Sequence, residues 1–163
     1  MSAASPRPDP LFPMVTVQTN VPKSNEDQIR ALMDQWTEAV RARDIEKVME
    51  HYAPDVVVFD LAQAHSYTGA ARYRQNIEGW FGAWQGPIHC ERRDLSITAG
   101  DGVAFSSSLA HHSGTGPGGE RIDFWVRVTV GFRKIGGRWK ATHEHVSVPF
   151  EMETMEASRN PRP

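Results

Sequence analysis

One cysteine, Cys90, stands in 163 residues. A lone thiol excludes an internal disulfide and suits a reducing compartment. An excess of one charge is also missing, because 18 Lys and Arg face 20 Asp and Glu for a formal net charge of −2. So even a balance offers no electrostatic footprint for nucleic acid or an anionic membrane. No apolar run approaches the roughly 18 residues of a membrane span. The N-terminus, Met1-Ser2-Ala3-Ala4-Ser5-Pro6, lacks the apolar core of a signal peptide. Together these absences predict a cytoplasmic protein with no nucleic-acid partner and no membrane partner. A phosphate cradle is missing too. The glycine-rich stretch 114–119 joins two strands, and no helix follows it to receive a phosphate.

The hydrophobic share of 39% and the charged share of 23% fit one domain with a real core. Pro6, Pro8, Pro10, Pro13 and Pro22 mark residues 1–22 as an extended, flexible tail, in which 15–17 could add a short edge strand. The domain is expected over residues 23–150, followed by a polar C-terminal tail, 151–163.

Ser24-Asn25-Glu26-Asp27 reads as a capping box, and Ile29, Leu32, Met33, Trp36, Ala39 and Val40 follow at helical spacing. Asp44 opens a second helix with Ile45, Val48, Met49 and Tyr52 as its stripe, ended by Ala53-Pro54-Asp55. Residues 56–61 form an apolar strand ending in Asp60-Leu61. A third helix carries Tyr73, Ile77, Trp80, Phe81 and Trp84. Strands are then expected at 88–99, 103–113, 121–135 and 138–149. Helices followed by long antiparallel strands make an α+β fold. The predicted form is a cone-shaped, curved antiparallel sheet wrapped around three N-terminal helices, with a pocket between the two layers.

The last hairpin, 123–149, organises this scheme. Simple alternation puts His143, His145 and Ser147 on one face with Trp139 and Ala141. A two-residue Gly136-Gly137 turn would pair Ile135 with Arg138. A three-residue loop would pair Lys134 with Arg138 and set Thr129, Arg127 and Trp125 opposite His143, His145 and Ser147. The second register is preferred, because it separates a polar, aromatic face from an apolar one. The polar face is expected to line the pocket. The apolar stripe of Val126, Val128, Val130, Phe132, Val146 and Val148 is expected to face away from the helices and to join two copies as a homodimer.

His143 and His145 are the candidate general acid and base. Asp60 ends a buried strand, where an unpaired carboxylate is unfavourable. It reads either as a proton acceptor that orients a histidine or as a turn cap. If it is that partner, its removal should alter how His143 or His145 titrates. Arg127 could hold a substrate carboxylate or enolate oxygen, or pair with Asp60. Trp80, Trp84, Trp125 and Trp139 wall a pocket for a flat apolar ligand or pack as core aromatics, and Thr129 and Ser147 supply orienting hydroxyls. His-x-His also has metal-ligand spacing. No cysteine cluster or third ligand at a diagnostic offset accompanies it, so neither a metal nor another cofactor is expected.

Tyr52-Ala53-Pro54-Asp55 with its following strand, Gly79-Trp80-Phe81, Arg127-Val128-Thr129, Gly137-Arg138-Trp139 and His143-Glu144-His145-Val146-Ser147-Val148-Pro149 stand in a characteristic order. Over residues 24–150 that order resembles the nuclear-transport-factor-2-like superfamily, in its SnoaL-like, ketosteroid-isomerase-like branch. The resemblance implies a cystatin-like α+β barrel. It also implies a protein that binds a small-molecule ligand and acts as a cofactor-independent acid/base enzyme. The reaction would be of isomerase, lyase or hydrolase type, on a compact, partly apolar carbonyl or hydroxyl compound. The alternative is a non-catalytic ligand-binding or dimerisation module of the same fold.

Overall fold

The computed structural model describes residues 24–61 and 65–158. The tail expected at 1–22, with its strand at 15–17, lies outside the described residues. Helix α1 (Asn25–Arg41) begins as its sequence dictates. The Ser24 hydroxyl accepts from the Asp27 N–H, and the Asp27 carboxylate accepts from the Ser24 N–H. Ile29, Met33 and Val40 form its buried stripe. Asp44 caps the short α2 (Ile45–Met49) through the Lys47 N–H.

Strand β1 (Tyr52–Phe59) starts earlier than periodicity suggests. Ala53-Pro54-Asp55 lies inside it, at a register shift between Tyr52 and Val57. A residue with no N–H is tolerated where the ladder is already interrupted. A two-residue β2 (Tyr67–Thr68) and α3 (Ala70–Gly82) follow. Four long strands complete the fold: β3 (Gln85–Ala99), β4 (Val103–Thr115), β5 (Arg121–Ile135) and β6 (Arg138–Ser147). The sheet order is β2-β1-β6-β5-β4-β3. All pairs are antiparallel except β1 with β6. Strands of 13 to 15 residues twist enough to curl the sheet, and the helices cover its concave side. The Trp84 ring lies on the backbone of Gly114, where a Cβ would come within 2.9 Å of it. Only glycine permits that approach.

The β5–β6 hairpin decides what faces the cavity. Gly136 and Gly137 have φ of 56° and 78°, a two-residue turn that pairs Ile135 with Arg138. The three-residue loop preferred from sequence does not form. Pairing runs through Phe132 with Ala141 and then shifts, so that Gly131 lies opposite His143. Thr142 is the extra residue of a β-bulge. Beyond it the faces of β6 exchange. Ala141 and Glu144 both line the concave cavity, together with Val146, and His143, His145 and Ser147 turn to the convex face.

Two expectations are corrected by this. The polar set Arg127, Thr129, His143, His145 and Ser147 does share one face, but that face is the convex one. The stripe of Val126, Val128, Val130, Phe132 and Val146 lies under the helices and lines the cavity, so it is not available to join two copies. The physical reason is the ordinary one: the most apolar face of a sheet is the face its helices cover. Phe150 bridges Ala157, and the chain turns back on itself between them.

Candidate functional site

Between the helices and the concave face lies a cavity of about 390 Å³. Its wall is mostly apolar, with Val126, Val128, Val130, Phe124, Ile77 and Leu32 among its lining residues. A few polar groups break that wall. Glu144 is the acid of the β6 row, 6% exposed, placed inward by the Thr142 bulge. Both of its carboxylate oxygens are held. The Tyr52 hydroxyl donates to Oε2 at 2.8 Å, and the Tyr73 hydroxyl donates to Oε1 at 3.4 Å. The Trp36 indole N–H donates to the Tyr52 oxygen at 3.0 Å, so a relay runs from α1 through β1 to β6.

Burial pushes the Glu144 carboxyl up to about 7. The Tyr52 hydrogen bond opposes the shift and the nearby Asp60 charge adds to it. The same burial, with Glu144 alongside, pushes the Tyr52 and Tyr73 hydroxyls well above their ordinary range, so both remain donors. Asp60 follows β1 and also lines the cavity. It accepts from the Leu61 N–H at 2.7 Å and from the Asn76 amide at 2.8 Å, and burial still raises its carboxyl.

The β3–β4 side carries nitrogens. Arg92 donates to the Ser108 hydroxyl at 2.9 Å and lies over the Trp36 ring at 5.5 Å. His112 packs edge-on against Trp80 at 5.2 Å and near Phe124 at 5.5 Å. Burial, reinforced by the Arg92 charge, pushes its imidazole down to about 3 and keeps it neutral. Arg92 Nε, His112 Nδ1 and Trp84 Nε1 are buried without a hydrogen-bond partner. Buried polar atoms in folded proteins are almost always paired, so unpaired ones around a cavity mark it as a place where a ligand is expected.

Of the residues singled out from sequence, Asp60 and Trp80 line this cavity, as does Trp84. His143 and His145 sit on the convex face beside Phe59, at ring distances of 5.0 and 5.8 Å, and His143 Nδ1 donates to the Val57 carbonyl. The expected pairing of either histidine with Asp60 is therefore not assembled. Arg127, Thr129 and Ser147 share the convex face, and Trp125 stacks there on His111 at 4.6 Å. Trp139 is buried beneath Lys134 at the turn end of the hairpin. Sequence reasoning gave no site role to Glu144, Tyr52, Tyr73 or Arg92, and considered His112 only beside His111 as a ligand that could complete a metal site with His143 and His145. A signal for Glu144 existed, because it has the same parity as Val146 and Val148 and is the lone acid in that apolar row.

Among the described residues, one group could hold a metal ion. His89, Glu91 and His111 place ligand atoms within 4.8 Å of one another. They lie on the convex face, and each has another role: His111 donates to Asp123 at 2.8 Å, and Arg93 pairs with Glu91 at 2.9 Å, while His89 approaches Glu91 at 3.6 Å. No described helix is long and apolar enough to cross a membrane.

The SnoaL-like domain family matches the chain over residues 29–151. An NTF2-like protein of unknown function from Pseudomonas putida KT2440 is 37% identical; the match covers 85% of this chain and 96% of that one, with a TM-score of 0.77. Two more distant structures share the fold. A putative scytalone dehydratase from Novosphingobium aromaticivorans DSM 12444 is 17% identical, with 83% and 91% of the chains covered and a TM-score of 0.68. A putative calcium/calmodulin dependent protein kinase II association domain from Xanthomonas campestris is 20% identical, with 77% and 88% covered and a TM-score of 0.67. No curated protein matches the chain. The chain belongs to the SnoaL-like domain family of the nuclear-transport-factor-2-like superfamily.

Proposed function

We propose that the chain is a small-molecule enzyme that moves a proton at Glu144 on a compact, partly apolar carbonyl or hydroxyl compound. The observation that carries this reading is a fully buried carboxyl poised at about 7 between two tyrosine donors in an apolar cavity. A general base or acid works best when its pKa lies near the operating pH. Burial supplies that match here, and Tyr52 and Tyr73 fix the direction of the two oxygens. As a carboxylate, Glu144 accepts a proton from a C–H or O–H held against it. As the acid, it returns the proton to another atom of the same substrate, and between turnovers it exchanges that proton with solvent. The unpartnered nitrogens of His112 and Trp84 are suited to the substrate oxygen on which charge develops. Asp60, near the same carboxyl, favours its protonated form.

Proton exchange tests the reading directly. With 2-indanone, 2-tetralone and cyclohexanone in D2O, the parent should speed α-proton exchange above the buffer rate, with a profile rising through about pH 7. Glu144→Gln should remove about 10²–10⁴-fold of that acceleration, the range of general base catalysis. Exchange no faster than buffer for the parent, or equal exchange in the two proteins, would sink the reading.

A second reading, association of two copies through the convex face, is favoured by two exposed aromatics, Phe59 at 42% opposite His145 and Phe105 at 54% opposite Gly131. Exposed aromatics on a sheet face mark an interaction surface. Light scattering at micromolar concentration should give a dimer mass for the parent and a monomer mass for Phe105→Lys. A monomeric parent would rule association out.

A further inference from the structure

We infer that the cavity is built for a ligand bearing a carboxylate, with the Arg92 guanidinium as its anchor. This rests on the proposed reading of the cavity as a small-molecule site, and it adds the chemical class of the ligand. Arg92 lies on β3 opposite Ala110 of β4, and both residues line the cavity. Its neighbours account for only part of it. The guanidinium lies over the Trp36 ring and one terminal nitrogen donates to Ser108, but Nε is buried with no partner. Among the described residues Arg92 makes no ion pair. Arg41, Arg74, Arg93, Arg121 and Arg133 each meet a carboxylate. Those five pairs lie where water would tolerate the charge anyway. Arg30, Arg43, Arg72, Arg127 and Arg138 likewise make no ion pair among the described residues, but of all these arginines Arg92 is the one that lines the apolar cavity.

A guanidinium is a permanent cation, and charge in an apolar surrounding is strongly disfavoured unless paired. The Glu144 carboxyl in the same cavity feels the Arg92 charge, which opposes the rise of its pKa, but forms no direct ion pair with it. Its two oxygens are already occupied by Tyr52 and Tyr73. His112 is displaced by two residues along β4 from Ala110, and its Nδ1 is buried with no partner. A neutral imidazole supplies no counter-charge, but it offers a further hydrogen bond beside the guanidinium. The missing charge is therefore left to the ligand. A carboxylate matches the planar fork of Arg92 with two parallel hydrogen bonds. The apolar remainder of such a ligand would lie along Phe124, Val126 and Val128, and the carboxylate would set which of its atoms reaches Glu144.

Isothermal titration with 2-naphthoate and with its neutral isostere 2-naphthamide, at pH 7.5, tests the anchor in the parent, Arg92→Met, Arg92→Lys and Glu144→Gln. The parent should bind naphthoate at least about 10-fold more tightly than the amide. Arg92→Met keeps a long unbranched side chain without the charge and should weaken naphthoate by about 30-fold or more, while the amide changes by less than about threefold. Arg92→Lys, which keeps the charge but not the fork, should fall between. Glu144→Gln should retain naphthoate. Loss of an unpaired, half-buried charge should also leave the melting temperature of the empty Arg92→Met protein unchanged or higher. Equal naphthoate binding by the parent and Arg92→Met would overturn the anchor and leave the cavity reading standing. So would a collapse of the melting temperature in Arg92→Met, which would show a structural support. Failure of both probes to bind the parent would instead remove the small-molecule reading, and the anchor with it.

Discussion

Glu144→Gln should lose about 2 kcal/mol of stability between pH 7 and pH 5 relative to the parent, and should be the more stable protein by about 3 kcal/mol at pH 8. The Glu144 carboxyl is raised from an ordinary 4.5 to about 7 in the folded protein. Between those values the folded state holds the proton more tightly than the unfolded chain does. Stability from this group is therefore greatest at low pH and falls as pH rises toward 7. The full penalty is about 2.5 pKa differences of 1.36 kcal/mol each, or about 3 kcal/mol. From pH 7 down to pH 5, about 2 kcal/mol of it is recovered. Glutamine has the shape of the protonated acid and no charge to bury, so the variant neither carries the penalty nor recovers it. Denaturant midpoints at pH 5, 6, 7 and 8 would measure the difference. Parallel profiles for the two proteins would show that Glu144 ionises as an exposed acid does, and would take the proton carrier out of the cavity.

His112→Phe should do the opposite, gaining about 2 kcal/mol relative to the parent on going from pH 7 to pH 5. The imidazole is lowered from 6.5 to about 3 by burial and then by the Arg92 charge. Its contribution is fully present above 6.5 and is lost as pH falls toward 3, because the unfolded chain takes up a proton that the folded one refuses. At pH 5 that is about 1.5 pKa differences, or about 2 kcal/mol. Phenylalanine keeps a ring beside Trp80 and Phe124 without a proton to take up. Burial shifts His51 in the same direction as His112, and Asp60 in the same direction as Glu144. Those groups are common to all three proteins, and apart from the coupling of Asp60 to Glu144 they cancel in the differences. In the parent the two slopes oppose each other, so a flat profile from pH 7 to pH 5 conceals two large effects that the variants separate. An unchanged profile in His112→Phe would mean that the ring is reached by water.

Much of the scaffold was legible in the chain itself. Ser24 and Asp27 announce the start of α1 by local hydrogen bonds, and Ile29, Met33 and Val40 mark its buried stripe over about three turns. The four long strands show as alternation, and the motifs between residues 24 and 150 were enough to place the family. Even the separation of a valine row from a polar row on the last hairpin was readable, because it depends only on parity along each strand. Asp60 and Trp80 were found for the same kind of reason, a polar residue closing an apolar strand and an aromatic on a helix stripe.

Which of the two rows meets the helices was decided only in three dimensions. Trp139 and Ala141 face the concave side, and plain alternation from them carries His143, His145 and Ser147 inward. The bulge at Thr142 adds one residue and exchanges the faces, so that Glu144 and Val146 enter the cavity and the histidines leave it. A bulge has no local signature at Thr142. It forms because the Gly136-Gly137 turn sets one register and burial of the valine row under the helices requires the other. The polar cluster is likewise non-local. Tyr52, Tyr73 and Glu144 are up to 92 positions apart and come from β1, α3 and β6, and Arg92 meets His112 only because β3 and β4 pair. Composition and periodicity carry the elements of this protein. The chemistry of its cavity arises from where those elements cross, since burial, and with it the shifted ionisation of Glu144 and His112, belongs to the packed fold and not to any stretch of chain.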